Sequence, residues 1–164
     1  MLNGVGKSCK NFLTNNRNKV IISHMSTRSN IGILEKDKTV RMIYCHFDGY
    51  LSWVGKILLE HYTDESKVRE LIALGDISSL CENVAPPPGM KHTYDTPIKN
   101  VAVAYYRDRG EPFEASSREY FTIEDARLYM QEYLYLFDVA RNKWFFTDGK
   151  IGLVELTEEL CKED

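Results

Sequence analysis

The chain has 164 residues and a formal net charge of −3, from 21 lysines and arginines against 24 aspartates and glutamates. Hydrophobic residues make up 43% of it and charged residues 27%, a balance that is typical of folded proteins and excludes a disordered chain. No run approaches the about 18 apolar residues that a membrane-spanning helix needs, so we predict no membrane partner. Since a domain commonly holds roughly 100–200 residues, we expect a single domain.

The first 24 residues differ in charge from the rest of the chain. They hold four basic residues and no acidic one, which gives this segment +4 and leaves the remainder at −7. A body of that charge is a poor binder of nucleic-acid backbones, which require clustered lysines and arginines. We interpret residues 1–24 as a loose N-terminal extension or upstream read-through before a start at Met25, and residues 25–164 as the domain.

The cysteine pattern indicates a reducing compartment. Cys9, Cys45, Cys81 and Cys161 are far apart, and no Cys-x-x-Cys pair of the kind found in zinc or redox sites is present. Such thiols, in a domain large enough to build its own core, are typical of reduced cysteines. We therefore expect a cytoplasmic protein with no cofactor and no metal.

Two β-rich runs open the domain. Residues 30–35 and 39–47 read as strands, and residues 36–38 read as the hairpin turn between them. Side chains alternate along a strand, so one face of the second run is expected in the core and the other is polar. The core face carries Ile43, Cys45 and Phe47, and the polar face carries Tyr44, His46 and Asp48.

Helices and a long loop follow the hairpin. Residues 50–62 have apolar side chains at helical spacing, and Thr63 or Asp64 can cap a second helix that ends at Gly75. Residues 81–100 form a polar, proline-rich loop, and loops of that length are commonly functional or mobile.

The second half returns to strands. Residues 101–106 read as a buried strand followed by a charged turn at 107–111. Thr122 and Asp125 resemble a capping box that opens a short helix, and residues 133–139 and 143–147 read as aromatic strands. Because strands and helices come in separate groups, we predict an α+β fold with an antiparallel sheet of about five strands and helices packed on it.

Several segments together carry a family resemblance. They include S-T-R-S-N at residues 26–30, I-Y-C-H-F-D-G-Y at 43–50 and Y-R-D-R-G-E at 106–111. Residues 25–147 resemble a family of small proteins of phages, prophages and mobile elements, most without a known activity. Small accessory proteins of that origin often disable host immunity. The resemblance implies an anti-defence protein of the bacterial cytosol, such as an anti-CRISPR, that inhibits a CRISPR–Cas or nucleotide-signalling system by binding a host protein or a signal molecule.

Two groups of residues are candidates for chemistry. His46 and Asp48 could form an oriented general base or supply two metal ligands, although they also fit an ordinary polar sheet face. Arg107 and Arg109 could clamp a phosphate, joined by Arg28, although they also fit a self-neutralised charged turn. Beside them, Tyr44 and Tyr50 are candidate ligand contacts. The alternative function is therefore a nuclease or phosphoesterase acting on RNA, such as guide RNA, or on a nucleotide.

Aromatic residues are concentrated late in the chain. We expect one face of the late strands to be core and the other to be a partner or self-association surface, which would allow a homodimer; base stacking is a further interpretation. A multimeric surface would also suit a virion assembly protein. The set is Tyr129, Tyr133, Tyr135, Phe137, Trp144, Phe145 and Phe146.

Overall fold

The predicted hairpin is the first element of the structure. The computed structural model describes residues 26–112 and 117–162, so the interpretation of residues 1–24 falls outside the described residues. Strand β1 (Ser29–Leu34) pairs in antiparallel register with β2 (Val40–Cys45). Lys38 closes the turn with a left-handed backbone at φ 76°.

Six further strands join this hairpin in one sheet within the described residues. They are β3 (Ile77–Ser79), β4 (Val103–Ala104), β5 (Arg118–Tyr120), β6 (Tyr133–Asp138), β7 (Lys143–Thr147) and β8 (Val154–Glu155). The strand order is β4-β3-β2-β1-β6-β7-β8, and β5 pairs with the first half of β2. Most pairs are antiparallel, whereas β1 with β6 and β2 with β3 are parallel.

The α+β class predicted from the sequence is confirmed. The sheet has more strands than the about five expected, because β3, β5 and β8 were not predicted. These strands have only two or three residues each, which is too short for a pattern of alternating side chains to be visible.

Three helical segments lie between β2 and β3. A π-helical turn (Leu51–Gly55) runs into α1 (Lys56–His61), and α2 (Glu65–Ala73) follows. The Asp64 carboxylate accepts a hydrogen bond from the Lys67 N–H at 2.9 Å and caps α2, as expected. After α2, Gly75 adopts a left-handed conformation at φ 73°.

Both faces of the sheet are packed. On one face, side chains such as Ile31, Ile43 and Phe137 meet Leu58 of α1 and Leu71 of α2 in the larger core cluster. On the opposite face, a smaller cluster is centred on Met42, Leu134 and Leu136 and is covered by Ala126. Ala126 belongs to α4 (Ile123–Leu128), which begins at the predicted capping box, where the Asp125 N–H donates to the Thr122 hydroxyl at 3.0 Å.

The chain after the long loop differs from the prediction. The strand expected over residues 101–106 is limited to β4, and Tyr105–Arg109 forms the short helix α3. The buried Asp108 carboxylate accepts a 2.7 Å hydrogen bond from the Ala104 N–H at the start of this helix. Gly110 ends it with a left-handed backbone at φ 71°. The expected charged turn is therefore a helical turn with a glycine cap.

The expected aromatic surface of the late strands lies inside the protein. Tyr129 is 65% exposed and Tyr133 is half-buried, but the other five aromatic residues of the set are at most 7% exposed. They are covered because the sheet carries helices on both faces. The late strands β6 and β7 thus present mostly buried rings, and the homodimer stays a prediction.

The remaining expectations concern the cysteines and membrane-spanning helices. Cys45 and Cys161 are buried free thiols, as expected, whereas Cys81 is disulfide-bonded, contrary to the expectation of reduced cysteines. Among the helices of the described ranges, none has both the length and the apolar character that crossing a membrane requires.

Candidate functional site

His46 lies just beyond the end of β2, on the same side of the sheet as α4. Its Nδ1 is hydrogen-bonded to the Tyr44 hydroxyl at 2.7 Å, and its imidazole is partly exposed. Partial burial lowers the pKa of His46, and the charges of Arg28 and Arg109 lower it further. Burial also raises the pKa of Tyr44 to about 12. At pH 7 the pair therefore consists of a neutral imidazole and a protonated phenol.

Asp48 does not complete a catalytic pair with His46. Its carboxylate accepts a 3.0 Å hydrogen bond from the Tyr50 hydroxyl, and its backbone turns away from the strand at φ 56°. Among the described residues, no carboxylate lies within ion-pair distance of His46. The strand ends at Cys45, so the alternation that placed both side chains on one face does not continue to Asp48. The His46–Asp48 dyad that the sequence predicted is therefore not formed, and the Asp48 carboxylate is hydrogen-bonded to Tyr50 instead.

Arg28 reaches the His46 neighbourhood from the start of β1. Its guanidinium donates to the Glu132 carboxylate at 3.0 and 3.2 Å, and its backbone N–H donates to the same carboxylate. The preceding residue accepts a 2.8 Å hydrogen bond from the Gly49 N–H. A side chain at Gly49 would lie 2.9 Å from the Arg28 carbonyl carbon, so glycine permits this close approach.

Arg109 is near enough to His46 to lower its pKa, and aromatic rings hold it. Its guanidinium carbon is 4.6 Å from the ring centres of both Tyr94 and Tyr105. Tyr105 belongs to α3, whereas Tyr94 comes from the proline-rich loop. The loop thus supplies one of the two rings that contact the Arg109 guanidinium. Arg28, Tyr44, His46 and Arg109 are therefore neighbours, whereas the phosphate interpretation also needs Arg107.

Arg107 is a structural residue, which corrects its assignment as a phosphate ligand. Its guanidinium donates two hydrogen bonds to Asp108, at 2.7 and 2.8 Å, and one each to the Val84 and Ala102 carbonyls at 2.6 Å. Only 1% of the Asp108 side chain is exposed, so its charge needs this partner. Arg107 and Arg109 are two positions apart on α3, and side chains at that spacing do not share a helix face, so Arg107 does not act beside Arg109.

A cleft of about 330 Å³ adjoins Tyr44 on the same face of the sheet. We call it the tyrosine–arginine cleft. Its lining residues are Asn30, Met42, Tyr44, Asp76, Arg118, Tyr120, Tyr129 and Gln131. Strand β2 provides the floor, β5 and α4 provide one side, and the turn before β3 provides Asp76.

The polar groups of the cleft hold one another in place. The Asp76 carboxylate accepts hydrogen bonds from Arg118 at 3.1 and 3.2 Å and from the Tyr44 N–H at 2.9 Å. The Tyr120 and Tyr129 rings stack at 5.5 Å between centres, inclined by 28°. These contacts among protein groups fix the side chains of the cleft without a ligand.

The sequence did not reveal most residues of the cleft. Asp76, Arg118 and Tyr120 lie on or beside β3 and β5, the strands too short to predict. The one available signal was the Gly75-Asp76 pair at a predicted helix end, where a backbone turn places an acidic side chain close to the sheet.

The charges around the site are balanced. Each of its three arginines has a carboxylate partner, with Arg28 on Glu132, Arg118 on Asp76 and Arg109 on Glu111 at 3.8 Å. A nucleic-acid backbone requires clustered unpaired basic residues, so this surface does not fit a long polyanion. Within the described part of the chain, no group of three histidine, cysteine or acidic side chains could hold a metal ion.

No protein-family model, curated protein or solved structure matches this chain. The resemblance to small proteins of phages and mobile elements therefore stays a prediction. The role of the cleft is inferred from its chemistry alone.

Proposed function

We propose that this protein is an anti-defence protein of a phage or mobile element. It inhibits a bacterial immune system, of the CRISPR–Cas or nucleotide-signalling kind, by binding a host protein or a signal molecule. The sequence resemblance over residues 25–147 supports the biological setting, and the tyrosine–arginine cleft supports binding as the mode of action.

The observation that carries the proposal is the makeup of the cleft. It offers aromatic rings and a paired guanidinium, which are the groups that dominate binding energy at recognition surfaces. Among the described residues, no histidine lines the cleft, and the nearby His46 has no carboxylate partner. This composition favours capture over chemical conversion.

Exposed apolar side chains beside the cleft support the same mode of action. Phe121 and Leu128, at the two ends of α4, are 83% and 79% exposed. Tyr129, which lines the cleft, follows Leu128 in the chain and is itself 65% exposed. Adjacent exposed apolar side chains such as these are typical of surfaces that a partner covers.

Phage plating tests the proposal. The gene is expressed in bacterial strains that carry either a CRISPR–Cas system or a nucleotide-signalling system, with a prematurely terminated gene as the control. We expect the plating efficiency of phage to rise in at least one strain. Equal plating with the intact and the terminated gene in both strains would contradict the proposed function.

A hydrolase is the second candidate, and one observation favours it. The pKa of His46 is lowered by burial and by the charges of Arg28 and Arg109, and a neutral imidazole near two arginines is a workable arrangement for a base beside a bound phosphate. Incubation of the purified protein with guide RNA and with cyclic nucleotides tests this candidate. Cleavage that is lost in His46→Ala would support it, and cleavage that His46→Ala retains in full would exclude His46 as the catalyst.

A further inference from the structure

We propose that the tyrosine–arginine cleft binds a nucleotide, a planar heteroaromatic base joined to a phosphate. This inference deepens and rests on the proposed function, because it names the class of the signal molecule. It places the base among Tyr44, Tyr120 and Tyr129 and the phosphate on Arg118.

The size and walls of the cleft suit a nucleotide base. Its volume of about 330 Å³ falls within the roughly 300–1,000 Å³ of small-molecule sites. The floor is the apolar side chain of Met42, which is 2% exposed, and two walls are the rings of Tyr44 and Tyr120. Stacking on tyrosine is favourable for every base, because each base has a π face.

Arg118 provides the anion contact. Asp76 holds its two terminal nitrogens at 3.1 and 3.2 Å, while 52% of the Arg118 side chain remains exposed. A guanidinium has five N–H donors, so this pairing fixes its orientation and leaves donors for a phosphate oxygen. The Asp76 carboxylate therefore holds the Arg118 guanidinium in a fixed orientation.

Gln131 provides a group that can recognise the edge of a base. Its backbone N–H donates to the Asn30 side chain at 2.7 Å, which fixes the residue at the cleft wall. Within the described chain, its side-chain amide makes no hydrogen bond, although it lines the cleft. An amide is both donor and acceptor, which matches the paired donors and acceptors along a base edge.

The charge balance selects a small ligand over a nucleic-acid strand. Asp76 neutralises Arg118, so the cleft attracts one phosphate at short range and gains little from a chain of phosphates. A single nucleotide can stack on the tyrosine rings, hydrogen-bond to the Gln131 amide and pair with the Arg118 guanidinium at the same time.

Isothermal titration calorimetry of the full-length protein tests this proposal. The probes are AMP, GMP, CMP and UMP, with adenosine and inorganic phosphate as the separate halves of one of them. We expect at least one nucleotide to bind, and each half to bind at least about tenfold more weakly than the whole. Arg118→Gln and Tyr129→Ala should each reduce the affinity at least about fivefold, through the lost charge-assisted bonds and the lost stacking.

Arg41→Gln is the matched control. Arg41 belongs to the same sheet, is 49% exposed, and pairs with Glu119 at 3.0 Å, but it does not line the cleft. This variant should bind nucleotide as the wild type does. Circular dichroism melting of each variant confirms that it is folded, and Tyr129 is exposed enough that its removal leaves the core intact.

Three results would overturn the inference. They are no heat of binding for any of the four nucleotides up to about 1 mM, equal affinity for phosphate and nucleotide, or unchanged binding by Arg118→Gln. The result is separable from the proposed function. Nucleotide binding without a plating effect would contradict only the anti-defence role, and a plating effect without nucleotide binding would contradict only this inference.

Discussion

At the scale of single residues, His46 shows how neighbours set a charge state. Partial burial and two nearby arginines keep its imidazole neutral, while Tyr44 occupies one of its nitrogens. His46, Tyr44, Arg28 and Arg109 were all candidate site residues from the sequence, and the structure places them near one another. The prediction paired His46 with the wrong partner, because strand alternation was extended past the point where β2 ends.

We predict that His46 titrates below the ordinary histidine pKa of about 6.5. The unfolded chain then binds the proton more readily, so His46 adds stability above about pH 6.5 that is lost as the pH falls towards the lower folded pKa. NMR titration of the imidazole measures this directly. Arg109→Gln should move the midpoint upward, and a midpoint that stays in place would show that Arg109 exerts no field on His46.

The neighbouring arginines of α3 have different roles, and their variants should separate them. Arg107→Gln leaves the buried Asp108 carboxylate without its main partner, and we expect it to lower the free energy of unfolding by about 2–3 kcal/mol. Arg109→Gln loses two exposed cation–π contacts and should cost about 1 kcal/mol. Urea unfolding measures both. Equal losses would contradict the structural role given to Arg107.

At the scale of elements, the sequence predicted those helices and turns in which a side chain interacts with the backbone next to it. The hairpin, the caps of α2 and α4, and the two late strands follow from turn residues, capping residues and side-chain alternation. In α3 the local signals of Asp108 and Gly110 were interpreted as a charged turn, whereas the short strands depend on distant partners. Arg118 finds Asp76 across 42 positions, and such pairings leave no local pattern in a sequence.

The Thr122 cap should stabilise α4, the helix that forms one side of the cleft. Helix α4 has six residues, so a single cap supports much of it, and Thr122→Ala should cost about 1 kcal/mol. We expect faster amide hydrogen exchange over residues 123–128, measured by mass spectrometry. Asp64→Ala, which removes the equivalent cap of α2, is the control and should speed exchange in α2 alone. Unchanged exchange in α4 after Thr122→Ala would contradict the role of the cap.

At the scale of the whole molecule, one sheet joins two core clusters. The cleft lies on the face that carries the smaller cluster, with β2 shared by both. The grouping of strands and helices correctly predicted an α+β fold, whereas the late strands expected to carry a partner surface have mostly buried rings. Aromatic richness marked the late strands, most of whose rings fill the larger core, whereas the rings of Tyr106, Phe121 and Tyr129 are exposed.

This arrangement predicts cooperative unfolding across the sheet. Leu136→Ala removes a fully buried side chain from the smaller cluster and should cost about 2–5 kcal/mol. Trp144 packs on the opposite face, so its fluorescence should shift to the same lower urea midpoint as the far-ultraviolet circular dichroism. Two separate midpoints would show that the faces unfold independently.

The decisive measurement compares the plating efficiency of phage on defended cells that express the wild type, Arg118→Gln or Arg41→Gln at equal protein levels. Arg118 and Arg41 are similarly exposed and each pairs with a carboxylate, and of the two only Arg118 lines the cleft. We predict that the wild type and Arg41→Gln raise plating and that Arg118→Gln does not. Inhibition by Arg118→Gln as strong as that of the wild type would contradict the assignment of the cleft as the working surface.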